Sequence, residues 1–282
     1  NNDAELLNND MVFRLSQPNA IGDTSWIKPG KVAWEWWNDW GLYGVDFVPG
    51  VNNKTYEYYI DFASRNGIEY VILDEGWSVN KKADLMQVVP EIDIKHLCDY
   101  GAKRGVGIVL WGGYWAVDRD MDNVFKHYSE LGVKGFKIDF MDRDDQQMVD
   151  FYERAAATAA KYKLFVDFHG SFKPAGLERR YPNIISYEGI RGLEQGGNCK
   201  PENTIFIPFI RNAVGPADFT PGSMFSAQPE DNRSTHSNAM GSGTRAYQMA
   251  LYVVLESGIQ MLADTPSRYL QEAECTEYIA SV

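Results

Sequence analysis

The sequence has little of what staples or coordinates. Cys98, Cys199 and Cys275 are the three cysteines in 282 residues, an odd number at wide spacing. That excludes a disulfide framework, and without a Cys-x-x-Cys neighbour neither zinc binding nor thioredoxin-like redox chemistry has support. Among the four histidines no His-x-x-x-His pair occurs, so the helical ligand pair of a zinc hydrolase is missing as well. No apolar run approaches the roughly 20 residues that cross a bilayer, so a membrane partner is not expected. No secretory leader is seen, although the abrupt start at Asn1-Asn2-Asp3 reads as that of a processed or excised segment. Basic residues are in deficit, 27 Lys and Arg against 39 Asp and Glu, for a formal charge of −12. Such a balance disfavours polyanions and excludes nucleic acid as the expected partner.

What the chain does have is a rhythm. Residues 1–30, with Pro18, Gly22 and Pro29-Gly30, read as a lead-in, the tail of a preceding domain. From residue 31 to 282, strand-like runs alternate with helical ones. Strands are expected at Lys31–Trp37, Ile68–Asp74, Val106–Trp111, Val133–Asp139, Leu164–Phe168, Ile184–Tyr187, Thr204–Ile210 and Ile259–Leu262, the seventh weakened by Pro208. Gly67, Gly105 and Gly132 each stand between a helical stretch and a strand, where glycine is the usual stop signal. Helices are expected at Lys54–Asn66, Ile92–Arg104, Asp144–Lys161 and Thr244–Glu256. Residues 211–243, rich in Pro, Gly, Ser and Asn, read as a long active-site connection. Eight alternations with near-continuous apolar strands predict an α/β fold, a (β/α)8 TIM barrel. A doubly wound sheet is the competitor, but no Gly-x-Gly-x-x-Gly follows the first strand.

The chemistry-bearing residues cluster at expected strand ends, where barrel enzymes keep their active sites. Phe136-Lys137-Ile138-Asp139 ends a strand on a carboxylate, with Lys137 and Asp139 on one face. A cation there favours the ionised acid that a nucleophile requires. Asp139 could instead cap the next helix, but Asp142 to Asp145 already offer that function. Glu188 and Glu194 bracket Gly189-Ile190-Arg191-Gly192-Leu193 and could donate protons, bind a hard cation, or be solvated surface acids. His169 ends Phe165-Val166-Asp167-Phe168 and could meet a sugar hydroxyl or be a satisfied core histidine. Trp34, Trp36, Trp37 and Trp40 follow the first strand; part of this cluster is core, and part is suited to the apolar face of a sugar ring. Asp74-Glu75-Gly76-Trp77 and Trp111-Gly112-Gly113-Tyr114-Trp115 repeat the mixture of aromatic and polar residues at two more strand ends. Asp118-x-Asp120-x-Asp122 lacks the glycine and glutamate of a calcium loop and reads as a helix start.

From Pro29-Gly30-Lys31 through Leu262-Ala263-Asp264 the chain resembles the catalytic barrel of glycoside hydrolase family 97. The most specific pieces are Phe136-Lys137-Ile138-Asp139, Asp167-Phe168-His169-Gly170 and Glu188-Gly189-Ile190-Arg191-Gly192-Leu193-Glu194. The family contains inverting α-glucosidases and a retaining branch with α-galactosidases. The inverting branch has glycine where Asp139 stands and base glutamates at positions matching the Gly112–Gly113 region and Gly170. The pattern here is therefore similar to the retaining branch.

The resemblance implies an exo-acting α-galactosidase with Asp139 as nucleophile and Glu194 as general acid/base. Trp37, Glu75, Lys137, His169 and Arg191 are the expected substrate contacts. It also implies calcium at Glu188 and Glu194, an oligosaccharide substrate, flanking β-domains in the full-length protein, and a periplasmic or extracellular location. The alternatives are an inverting α-glucosidase, a β-L-arabinopyranosidase and a barrel that binds carbohydrate without cleaving it.

Overall fold

The computed structural model describes residues 2, 4–5 and 9–282. Seven parallel strands form one sheet: β1 (Gly30–Ala33), β2 (Tyr70–Leu73), β3 (Gly107–Gly113), β4 (Gly135–Asp139), β5 (Phe165–Phe168), β6 (Ile184–Tyr187) and β7 (Ile259–Leu262). They run in sequence order from β6 back to β1, and β7 then pairs with β1 from Gly30↔Ile259 to Ala33↔Leu262. The first and last strands are thus neighbours, which wraps the sheet round into a barrel flanked by helices.

The expected strand Thr204–Ile210 is not one. Pro201–Thr204 and Ile207–Ile210 are short helices, each with a proline in its first turn. Proline's fixed φ and missing N–H suit a helix start and do not suit a ladder. The gap between β6 and β7 is filled by an irregular run further on. Ala217 through Met224 are all buried. Asp218 N–H donates to Tyr187 O at 2.9 Å on one side, and Ala263 N–H donates to Pro221 O at 3.0 Å on the other. At the opposite end of the barrel Gly258 N–H reaches Ile185 O directly at 3.1 Å. The eighth stave is therefore a wedge and not a regular strand. No apolar alternation marks it, because its backbone bonds to its neighbours at isolated points.

β1 is shorter than expected. Its ladder ends at Ala33, because the chain turns through Asp39 and Trp40, both at positive φ (53° and 51°). Four helices follow the pattern read from the sequence, α1 (Asn53–Asn66), α2 (Ile94–Ala102), α5 (Gln146–Lys161) and α6 (Arg245–Val254); α3 (Tyr114–Arg119) was not expected, and α4 (Met121–Leu131) occupies the helical stretch before Gly132. Gly67 and Gly132 end α1 and α4 in the left-handed region, at φ 71° and 109°, as a stop signal requires. Asp120 stands at the N-cap position of α4, and Asp145 caps α5 by accepting from Met148 N–H at 3.1 Å. That leaves Asp139 free of capping duty. The buried faces of α1, α2, α4 and α5 pack on the barrel wall, and the lead-in lies outside it, with Ala20 N–H bonded to Arg180 O at 2.9 Å.

Candidate active site

Charged side chains ring the carboxyl ends of the strands. Glu35 follows β1, Asp74 follows β2, Asp139 closes β4, His169 follows β5 and Glu188 follows β6. A cavity of about 400 Å³ opens there, lined by Trp36, Asp74, Glu75, Trp111, Lys137, Asp139, Phe140, Asp142, Gly170, Glu188, Glu194 and Gln195. A larger cavity of about 530 Å³ lies away from these acids, beside α5 and residues 172–177. Its lining is mostly apolar, and we place the chemistry in the smaller one because Asp139, Glu194 and Lys137 converge there.

Asp139 is held from two sides. Trp111 Nε1–H donates to its Oδ2 at 3.1 Å and Phe140 N–H donates to its Oδ1 at 2.7 Å. Phe140 adopts φ 66°, a conformation that costs about 1–3 kcal/mol for a bulky residue. The Phe140 ring meets Trp111 edge-on at 5.8 Å between centroids. Both donors fix the direction of the carboxylate.

Lys137 lines the same cavity as Asp139, as strand alternation requires, but its ammonium bonds elsewhere. Nζ donates to Asp74 Oδ2 at 2.9 Å, a fully buried ion pair, and Trp34 Nε1–H donates to the same oxygen at 2.7 Å. Burial disfavours the charge on Lys137, yet Asp74, Glu194, Asp139 and Asp218 outweigh it and hold the lysine well above its usual range. Burial, with Asp74 and Asp139 adding to it, raises Glu75.

Glu194 lies near the start of a short 3-10 turn, Leu193–Asn198. Burial pushes it up to about 7; Lys137 and His169 offset part of that effect and Glu188 adds to it. Glu188 Oε2 accepts from Gly170 N–H at 2.8 Å. Behind the two glutamates stands His169, 1% exposed. Its Nε2 bonds Asp218 Oδ2 at 2.7 Å, and its Nδ1 lies 3.9 Å from both Glu188 Oε2 and Glu194 Oε1. Burial and Lys137 oppose charge on the imidazole, but Asp167 and Asp218 prevail and raise it well above its usual value.

Three expected substrate contacts are placed otherwise. Trp37 is 7% exposed and packs in the core with Val32 and Trp34; its neighbour Trp36 lines the cavity instead. The strand ends at Ala33, so strand alternation no longer decides which tryptophan faces the mouth. His169 is buried beneath Glu188 and Glu194 and does not line the cavity, because Asp218 draws its ring inward. Arg191 is exposed and outside the lining. Glu75 and Lys137 do line it. Among residues not singled out, Asp74 carried a readable signal, a carboxylate ending an apolar run like that before Asp139. Asp218 carried none, since it lies within the irregular stave.

The similar known proteins are glycoside hydrolases. Glycoside hydrolase 97 matches the chain over residues 36–190. A retaining α-galactosidase of Bacteroides thetaiotaomicron is 57% identical over 99% of this chain and 43% of its own. The solved glycoside hydrolase family 97 enzyme from Pseudoalteromonas sp. strain K8, in complex with acarbose, superposes at TM-score 0.84 with 30% identity, over 99% of this chain and 47% of that one. A β-arabinopyranosidase superposes at TM-score 0.77 with 28% identity, over 96% of this chain and 44% of its own. The fold is that of their catalytic-type barrel, with the acid-lined cavity at the carboxyl ends of its strands. The chain belongs to glycoside hydrolase family 97, and it spans less than half the length of these three relatives.

Proposed function

We propose that this barrel is the catalytic domain of a retaining exo-α-galactosidase. The observation that carries the proposal is a carboxylate at the end of β4, gripped by two donors and lining one cavity with a second, burial-raised carboxyl group. Gly112, Gly113 and Gly170 leave no side-chain acid where the inverting branch keeps its bases. Retention uses two carboxyl groups about 5–5.5 Å apart, whereas inversion needs roughly 6.5–9.5 Å to admit a water. In the first step Asp139 attacks the anomeric carbon while Glu194 gives its proton to the departing oxygen. A glycosyl ester forms on Asp139 and the leaving group departs as an alcohol. In the second step Glu194 takes a proton from water, which attacks the anomeric carbon and releases Asp139 as carboxylate. Burial raises Glu194 toward the protonated form that the first step needs, and calcium, when bound, would draw it back.

Substrate contacts in this reading come from Trp36, Glu75, Asp74 and Lys137. The first gives an apolar face and the others charged partners for hydroxyl groups. We also assign calcium to Glu188 and Glu194, whose carboxylates converge with His169 Nδ1 so that one ligand atom from each lies within 4.8 Å of the others. Two carboxylates suit calcium's preference for oxygen, and the imidazole nitrogen does not, so the rest of its shell of about 6–8 oxygens would come from water and from other parts of the full-length protein. When bound, calcium supplies positive charge that holds the two carboxylates together. Flanking domains and a periplasmic or extracellular location complete the proposal; the greater length of the relatives supports the former, and cell fractionation checks the latter.

The test is Asp139→Gly in the full-length protein, assayed on aryl α-galactosides. Activity should fall by several orders of magnitude, and azide should restore turnover as a glycosyl azide of inverted configuration. Near-normal activity without azide refutes the nucleophile. NMR of the anomer first formed by the wild type separates retention from inversion, and aryl β-L-arabinopyranosides and α-glucosides in the same panel decide the sugar.

A further inference from the structure

Beneath the catalytic cavity lies a carboxyl group that the double displacement does not use. Glu35 is fully buried. Its Oε1 accepts from the Asp74 N–H at 2.8 Å and from the Tyr56 hydroxyl at 2.7 Å, while Oε2 has no hydrogen-bond partner among the described residues. Tyr56 is held in turn by the Trp40 indole, whose N–H donates to its hydroxyl at 3.0 Å. Asp74 sits above Glu35 in the cavity wall. Its Oδ2 takes Lys137 and Trp34, and its Oδ1 takes the Glu75 N–H at 2.8 Å. One buried oxygen of Glu35 therefore holds the backbone of Asp74, the residue that Lys137, Trp34 and the Glu75 N–H all meet.

We propose that Glu35 is a positioning residue for the cavity floor, holding Asp74 and through it the Lys137 ammonium in the orientation that receives the hydroxyl groups of the bound sugar. The role rests on the glycosidase reading above. A purely structural acceptor for two donors does not need to be an acid. A carboxyl group with one bare oxygen is a costly way to satisfy them, because a buried polar atom without a partner costs about 1–3 kcal/mol. The groups facing Glu35 are Asp74 from the end of β2 and Tyr56 and Tyr59 from α1; Lys137 from β4 lies beyond Asp74 and is engaged by it. No cation meets Glu35 directly among the described residues. Burial, and Asp74 after it, push Glu35 up to about 8. At neutral pH it is therefore an uncharged acid that supports Asp74 without repelling it, and its proton occupies the Oε2 side. Once ionised, it sets a second negative charge against Asp74 and competes for Lys137.

The experiment uses the full-length protein and reads KM, on whichever aryl glycoside of the panel is turned over, as a function of pH. For the wild type KM should rise above about pH 8 by about tenfold per pH unit, while the fall in kcat that ionisation of Glu194 brings should be the same in wild type and Glu35→Gln. Glu35→Gln keeps an acceptor for Asp74 and Tyr56 and cannot ionise. It should hold KM at neutral pH within about twofold of wild type and abolish the alkaline rise. Glu35→Leu should raise KM about tenfold or more even at neutral pH, because Asp74 loses its anchor. A flat wild-type KM profile, or the same rise in Glu35→Gln, overturns the proposal. The infrared difference between wild type and Glu35→Gln should show a protonated carboxyl band that fades above about pH 8, and its absence at neutral pH overturns the proposal too. That reading needs no substrate, so it stays separate from failure of the galactosidase assignment, which inactivity on every α-galactoside would show.

Discussion

The Trp111 indole offers a direct test of how the nucleophile is served. Trp111→Phe removes the N–H that reaches Asp139 Oδ2 at 3.1 Å and leaves the Phe140 N–H on Oδ1. A hydrogen bond to a charged group contributes about 1.5–3 kcal/mol. Asp139 loses charge as the glycosyl ester forms and regains it as the ester breaks, so the donor helps the second step most. If half the charge has returned at that transition state, the bond contributes about 0.7–1.5 kcal/mol there, or about 4- to 13-fold in rate. In the full-length protein, stopped-flow release of nitrophenol from an aryl α-galactoside should show a burst, followed by a steady state slower than wild type by that factor. The glycosylation rate should rise by a similar factor, because the ground-state carboxylate bound by one donor fewer is more nucleophilic. A fall in the burst rate with unchanged deglycosylation would refute this, since the indole would then be orienting Asp139 and not taking up its charge. The melting temperature needs recording alongside, because Trp111 also packs against Phe140.

Two further outcomes follow from the same site. Glu194→Gln should slow hydrolysis of galactosides with poor, alcoholic leaving groups by about 10²–10⁴-fold in the first step, and spare that step for acidic phenols that need no proton; equal losses on both would remove Glu194 from the acid role. Stripping divalent ions from the full-length enzyme should lower its thermal stability, and calcium at about a hundred times its dissociation constant should restore about 2.7 kcal/mol, a gain that Glu188→Gln loses; calorimetry with no calcium-dependent shift removes the ion from this site.

Most of the barrel was legible because its strands are short apolar runs punctuated by glycine. Ile259–Leu262 and Ile184–Tyr187 match their expected bounds. The reading failed at Thr204–Ile210, where an apolar run with prolines looked like a weak strand, and at Ala217–Met224, where a stave without regular pairing left no periodic signal. The site divides the same way. Asp139, Glu75 and Glu188 were readable because each sits at or just past a strand end, Lys137 because it alternates with Asp139, and Glu194 because it closes the segment that begins at Glu188; the structure gathers all five around one cavity. Trp37 and His169 do not line the cavity, for a shared reason: once a strand has ended, spacing no longer says which side chain turns inward. The partnership of His169 with Asp218, 49 positions along the chain, depends on the wedge and could not be inferred without it.

The pairing of β1 with β7 also bears on how the molecule comes into being. The ladder that joins Gly30–Ala33 to Ile259–Leu262 cannot form until nearly the whole of this stretch has left the ribosome. Until then the apolar edge of β1 has a partner on one side only, β2, and unpaired strand edges invite contact with other chains. Synthesis therefore passes through a half-open sheet, and the last strand to emerge is the one that makes the barrel safe from its neighbours.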